Sequence, residues 1–248
     1  MFALSPFFPQ TCKYIHTAIK SLPSSVHARY VLCRHPPELY WSYSQAEPTY
    51  IAGPPLTRAL RYPICTIPVL EAMRRIMLRT NIAHINIATL DGFELPRRLF
   101  RSLGESGERL DANSEPLPLL QYLWERRTEI DFVKPRPNSH DGYPLVRAVH
   151  ARFTPLVRFL LDHGADPRER DCMAVKVAIR KKDLTMVKIL IEFEPEPGAT
   201  AKKRRRADRV VVTPSMLDLA VRCDARDIVT YFMEVKGCIP NMKTLKAF

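Results

Sequence analysis

The sequence predicts an all-α chain, a solenoid of stacked helix-turn-helix repeats, about five and irregular, and three observations carry that prediction. Leu156, Val157, Leu160 and Leu161 fall on one helical face at i, i+1, i+4 and i+5, the 3.6-residue period and not the alternation of a strand. A small alanine is followed eight positions later by an apolar residue at Ala148 and Leu156, at Ala178 and Met186, and at Ala220 and Ile228. Pro118-Leu-Leu-Gln-Tyr-Leu-Trp124-Glu matches Pro155-Leu-Val-Arg-Phe-Leu-Leu161-Asp position for position at a spacing of 37. Constant offsets of this kind mark a repeated two-helix unit that buries its apolar face against its neighbours.

Taken in order, residues 1–50 read as a poorly defined N-terminal region, a degenerate helical cap in which Ile15-His16-Thr17-Ala18 with Val26 is the faintest copy. Trp41 with Tyr40, Tyr43 and Tyr50 reads as packing against the first full repeat rather than as a ligand site. The repeat domain, 51–248, opens with Gly53-Pro-Pro55-Leu56-Thr-Arg-Ala59-Leu60, and Ile67 stands eight beyond Ala59. The next first helix is expected from Leu95 to Leu103, after Asp91-Gly92-Phe93, with an insertion near 104–116 before its partner at Pro118. Asp141-Gly142-Tyr143 repeats that lead-in ahead of Pro144-Leu-Val-Arg-Ala-Val149, and the second helix there is opened by Pro155 and closed by Gly164. Asp171 to Ile179 with Met186 to Ile191, and Ser215 to Val221 with Ile228 to Met233, are the last two copies. Ala148 to Ala178 is 30 residues and Ala178 to Ala220 is 42. The longer step holds an insertion near 194–212, where Pro195, Pro197, Gly198 and the run Lys202-Lys203-Arg204-Arg205-Arg206 disfavour a packed helix.

These residues resemble ankyrin repeats, whose unit of about 33 residues is a β-turn and two antiparallel helices carrying T-P-L-H-x-A. The resemblance rests on Pro55-Leu56-x-x-Ala59, on Pro144-Leu145-x-x-Ala148 and on Gly164-Ala165-Asp166-Pro167. It extends over roughly residues 50–240 and is strongest at 138–191. The copies are divergent: none keeps the Thr and His of T-P-L-H, and the glycine between the two helices is missing throughout.

Charge narrows the function. The chain has 38 Lys and Arg against 26 Asp and Glu, a net +12, which favours acidic or polyanionic partners. With 8 Gly and neither G-x-G-x-x-G nor G-x-x-x-x-G-K-[ST], nucleotide enzymes of those types are excluded. The six cysteines show no C-x-x-C, the seven histidines no H-x-x-H, and no serine stands in G-x-S-x-G, so neither metal site, cofactor nor catalytic constellation is expected. No stretch is apolar enough to span a bilayer. The chain is expected inside the cell, in nucleus or cytoplasm. Residues 1–37 lack Asp and Glu, as mitochondrial transit peptides do, yet Pro6, Pro9 and Pro23 would interrupt the amphipathic helix such a peptide needs.

The resemblance implies that a partner docks on the concave side formed by the turns and first helices. Carried over by register, the positions after each alanine pair are Arg61 and Tyr62, His150 and Ala151, Arg180 and Lys181, and Arg222 and Cys223. None is acidic, so a partly basic groove is expected, with Arg58 and Arg147 at its edge; the alternative is that these cations are ordinary helix surface. Lys202 to Arg206 has three readings: a nuclear import signal, surface charge offset by Glu192, Glu194 and Glu196, or a nucleic-acid contact, although no aromatic residue is interleaved with it. The expected function is a non-enzymatic protein-protein interaction module with an acidic or mixed-charge partner. A nuclear, nucleic-acid- or chromatin-associated factor acting through 202–206 and an enzyme too divergent to recognise are the alternatives.

Overall fold

The computed structural model describes residues 17, 20–34, 58–79, 93–104, 110–125, 135–192 and 208–241. The chain is mostly helical and all-α, and it divides into two compact units, one of residues 1–98 with 118–136 and one of 99–117 with 137–248. The expected boundary at residue 50 lies outside the described residues, as do the aromatic patch at 40–50 and the basic tract Lys202, Lys203, Arg204, Arg205 and Arg206.

In the first unit, α1 (Ser24–Arg34) packs on α2 (Ile67–Arg79), with Ala28 and Val31 buried on the one and Val69, Leu70 and Met73 on the other. Tyr30 and Tyr62 meet edge to face, with ring centroids 6.4 Å apart. A two-residue strand β1 (Phe93–Glu94) pairs in parallel with β2 (Pro135–Arg136), burying Phe93 and Pro135 and leaving Glu94 and Arg136 exposed. α4 (Leu117–Glu125) buries Leu119, Leu120, Leu123 and Trp124. Between these elements in sequence, α3 covers only Arg98–Arg101, shorter than the helix expected from Leu95 to Leu103; Leu95 and Pro96 are outside any helix, and a residue before proline is biased away from helical backbone.

The turn after Ala59 departs from the expected repeat. Its bonds are one-turn contacts, Arg61 N–H to Arg58 O at 3.1 Å and Tyr62 N–H to Ala59 O at 3.0 Å. Pro63 stands four beyond Ala59, and its ring holds φ at about −65°. The following helix therefore begins at Ile67 itself, two residues later relative to the alanine than in the second unit.

The second unit repeats one arrangement three times. First helices α5 (Ser139–His150), α7 (Glu169–Arg180) and α9 (Pro214–Arg222) alternate with second helices α6 (Thr154–Asp162), α8 (Leu184–Ile191) and α10 (Arg226–Thr230). α5 packs on α7 and α7 on α9, each first helix packs on its own second helix, and α8 packs on α10. Burial recurs in register: Pro144, Leu145 and Ala148, then Ala174, Val175 and Ala178, then Met216, Leu217 and Ala220. On the second helices the buried sets are Leu156, Val157 and Leu160, then Met186, Val187 and Leu190, then Ile228, Val229 and Phe232. Ala148, Ala178 and Ala220 are 0% exposed; any larger side chain there would overpack the helix contact by about 1–3 kcal/mol. Truncating Leu160 or Leu190 instead would leave a cavity costing about 2–5 kcal/mol.

Each first helix ends in the same closed turn. The N–H five residues beyond each alanine returns to that alanine's carbonyl: Phe153 to Ala148 at 2.9 Å, Asp183 to Ala178 at 3.2 Å and Ala225 to Ala220 at 3.0 Å. The residue just before is left-handed in all three, Arg152 at φ 54°, Lys182 at 53° and Asp224 at 49°. This is the helix-stop geometry that glycine ordinarily occupies. Here no copy supplies one, so each turn holds an L-residue where its Cβ crowds the backbone. After α6 the same stop is made with Gly164 at φ 92°.

The last second helix relaxes its winding. From Tyr231 to Val235 the backbone widens to a π-helical turn, with Lys236 N–H bonded to Tyr231 O at 3.2 Å.

Candidate interaction surface

Two devices set the first helices of the second unit in line. Within the first residues of α5 and α7 the chain makes a left-handed turn, His140 to Gly142 and Arg170 to Cys172, before regular helix begins at Tyr143 and Met173. The two turns lock together: the Asn138 side-chain oxygen accepts the Asp166 N–H at 2.8 Å, and a Cβ on Gly142 would stand 2.9 Å from the Glu169 Cβ. Arg168 chelates the Asp166 carboxylate, with Nε to Oδ1 at 3.0 Å and Nη2 to Oδ2 at 2.8 Å, and that hydrogen bonding holds the Asp166 carboxyl below its ordinary range.

The second device is a set of arginines that reach from one repeat to the carbonyls of its neighbour. In the first unit Arg98 donates to Leu60 O and Tyr62 O, both at 2.6 Å. In the second unit Arg147 donates to Phe100 O at 3.1 Å, to Leu103 O at 2.9 Å and to Arg101 O. Arg152 donates to Lys181 O at 2.8 Å, and its guanidinium lies 3.9 Å from Asp183. Charged donors on carbonyls are stronger than neutral ones. Arg147, placed by sequence at the edge of a groove, instead satisfies the chain end behind α3, and Arg58 is half-buried.

Aligned on Ala148, Ala178 and Ala220, the open face of the first helices carries four rows. Tyr143, Met173 and Ser215 form the first; Val146, Lys176 and Asp218 the second; Arg147, Val177 and Leu219 the third. The fourth, at the ends of the helices, is His150, Arg180 and Arg222, all exposed, with half-buried Ala151, Lys181 and Cys223 beside them. Only this last row has one chemistry throughout: every member is basic. The inner rows mix apolar, basic and acidic groups, and Lys176 is paired with Asp171.

Within the row the charges differ in availability. Arg180 and Lys181 make no ion pair among the described residues. Arg222 is shared with Asp218 one turn back, at 2.7 Å. Burial, then Lys181, then Arg147 lower the His150 imidazole below its ordinary pKa, so at neutral pH it is uncharged. The sequence-expected residues Arg61 and Tyr62 belong to the first unit: Arg61 is exposed, while Tyr62 is half-buried against Tyr30 and gives its carbonyl to Arg98.

Sequence reasoning missed a clasp at the far end of the second unit. Tyr231 Oη donates to Glu192 Oε1 at 2.7 Å, and Lys236 Nζ reaches Glu192 Oε1 at 3.2 Å and both Asp208 oxygens at 3.0 Å. Lys188 and Lys236 lie over the Tyr231 ring, 5.4 and 5.5 Å from its centroid. Arg209 adds its backbone N–H to Ile191 O at 2.7 Å and its guanidinium to Ile189 O and Glu192 O at 3.0 and 3.1 Å. Burial alone would raise the Glu192 carboxyl, but the hydrogen bonds from Tyr231 and Lys236 outweigh it and hold it low; burial and that same bond push the phenol up. The clasp ties together the two ends of the segment that carries Lys202 to Arg206. The only sequence signal for it was the acidic and basic flanks of the insertion.

Burial pushes the Cys65 thiol up to about 12, which keeps it protonated in the first unit's core. Among the described residues no three His, Cys, Asp or Glu side chains are grouped to hold a metal ion, and no helix is long and apolar enough to cross a membrane. Compared with models of protein families, with curated proteins and with solved structures, the chain matches none.

Proposed function

We propose that the chain is a divergent ankyrin-type repeat solenoid and works as a non-enzymatic protein-interaction module. Its binding face is the basic row His150, Arg180, Lys181 and Arg222, and its partner is acidic at the point of contact. One observation carries this reading: three first helices packed in register present a basic side chain at the same end of each, without a carboxylate in that row. Stacked helices hold the row in place before a partner arrives, so docking loses less side-chain and backbone freedom than a flexible loop would. Exposed single ion pairs are weak, but an aligned set of like charges attracts and orients an acidic partner at long range.

The test is partner capture by the native chain and by a variant carrying Arg180→Glu, Lys181→Glu and Arg222→Glu. All three side chains lie at helix ends away from the core, so helical circular dichroism is expected to be unchanged while capture is lost. Capture of the same partners by the reversed variant would place the binding face elsewhere.

A further inference from the structure

The basic row has one member whose charge depends on pH. His150 stands exposed at the end of α5, and contacts on either side fix what surrounds it. The turn that follows is stitched to the end of α7, where Arg152 Nη2 donates to Lys181 O at 2.8 Å. On the other side the chain end behind α3 closes against the next residue, since a Cβ on Gly104 would stand 3.3 Å from the Ala151 Cα. Arg147, one turn back on the same helix, is held by its bonds to Phe100 O and Leu103 O at 3.1 and 2.9 Å.

The charge gathered at this corner is therefore cationic. Besides Arg147, α7 brings Arg180 and Lys181, the turns bring Arg152 and Lys182, and α3 brings Arg101, while α6 opens with the uncharged run Thr154-Pro-Leu-Val157. The carboxylate here is Asp183, and it is already committed: it accepts the Met186 N–H at 3.0 Å and lies 3.9 Å from Arg152. Among the described residues none is paired with His150. Burial first, and then the charges of Lys181 and Arg147, keep protons off the imidazole in the free chain.

Resting on the binding face assigned under Proposed function, we infer that docking of an acidic partner takes up a proton from solvent at His150, so that the face binds more tightly as pH falls. The partner's carboxylate supplies the counter-charge that the free chain lacks, which favours imidazolium over imidazole once the partner is in place. By linkage the same proton strengthens the docking. Aspartate and glutamate side chains ionise near pH 4, so the partner stays charged where the imidazole titrates. Arginine and lysine stay charged as well, which leaves His150 as the one member of the row that changes. Arg180 and Lys181 thus hold an acidic partner at any physiological pH, and His150 extends the charge to the first helix when a proton is there to be taken.

The experiment titrates a fluorescently labelled aspartate decamer with the full chain, at constant ionic strength, between about pH 7.5 and about pH 5.5. A contact that raises the imidazole by about one pH unit tightens binding up to about tenfold, so a gain of about threefold to tenfold is expected over this range. Calorimetry in two buffers of different ionisation heat is expected to show an uptake of about half a proton per chain at mid-range. His150→Gln is expected to flatten the gain, and His150→Lys to bind at the upper pH about as tightly as the native chain does at the lower. The proton count is made on the native chain and so holds whether or not a variant folds well. Affinity indifferent to pH, yet lost on Arg180→Glu with Lys181→Glu, would overturn the proton linkage and leave the basic face standing. A gain that persists in His150→Gln would put the proton on another group and overturn it as well. No binding of the decamer at either pH, or binding indifferent to the charge reversal, would remove the binding face together with the inference.

Discussion

Replacing Lys182 with glycine should make the protein more stable, and replacing its neighbour Lys181 with glycine should make it less stable. Lys182 stands at φ 53° in the turn that closes α7, whereas Lys181 has helical backbone at φ −80°. Holding an L-residue in the left-handed region costs about 1–2 kcal/mol, and glycine removes that cost. Glycine also gives the unfolded chain more freedom, which offsets about 0.5–1 kcal/mol of the gain. The Lys182 ammonium lies 3.9 Å from Asp224, but both side chains are more than half exposed and their pairing contributes little. The net for Lys182→Gly is a gain of about 0.5–1 kcal/mol, seen as a rise in Tm of about 1–4 °C. Lys181→Gly places glycine at a helix end without strain to relieve and should lose about 0.5–1 kcal/mol. Urea unfolding followed by circular dichroism measures both on one scale. Should the two variants move the midpoint in the same direction, the turn does not have the register described, and the alignment on Ala148, Ala178 and Ala220 goes with it.

Other consequences follow from individual contacts. Asp183 caps α8 by accepting the Met186 N–H at 3.0 Å, so Asp183→Ala should cost about 1 kcal/mol in the same assay. Gly142→Ala combines a φ of 75° with a Cβ 2.9 Å from that of Glu169, and a loss of about 1–3 kcal/mol is expected; a neutral result would mean the two lead-in turns are not locked. His150 is held below its ordinary pKa in the folded chain. Above about pH 6.5 it is neutral in both states and adds nothing. As pH falls below that value the unfolded chain takes up the proton first, so the folded state loses stability until the lower folded value is also passed. His150→Gln should therefore lose less stability than the native chain as pH falls below about 6.5, and an identical pH profile would show that neither burial nor the charges of Lys181 and Arg147 bear on the imidazole.

Much of the second unit was legible in the sequence because burial there obeys one period. Small alanines where helices touch, and apolar pairs eight residues on, are local patterns that packing enforces at every copy. The turns between helices were less legible. Their geometry asks for glycine, and the chain instead carries Arg152, Lys182 and Asp224, tolerated because the surrounding helices fix the turn. The copy at Ala59 kept the sequence offset and lost the structural one, since Pro63 cannot adopt the left-handed conformation. Charge was less legible too: nothing in the sequence sets Arg98, Arg147 and Arg209 apart from the other cations of a basic chain, and only the fold shows their guanidiniums on backbone carbonyls. What survives as available charge at the helix ends is narrower than the net +12 implies.

The clasp of Glu192, Tyr231, Lys236, Asp208 and Arg209 also makes this junction a natural graft point. A stretch tied at both ends adds only the entropy of closing a ring, and each doubling of its length costs about 0.6 kcal/mol. Every contact of the clasp is made by residues up to 192 or from 208 onward, so that cargo of another length or chemistry, an epitope or a fluorophore, spliced between those two positions leaves each of these contacts with its own partners.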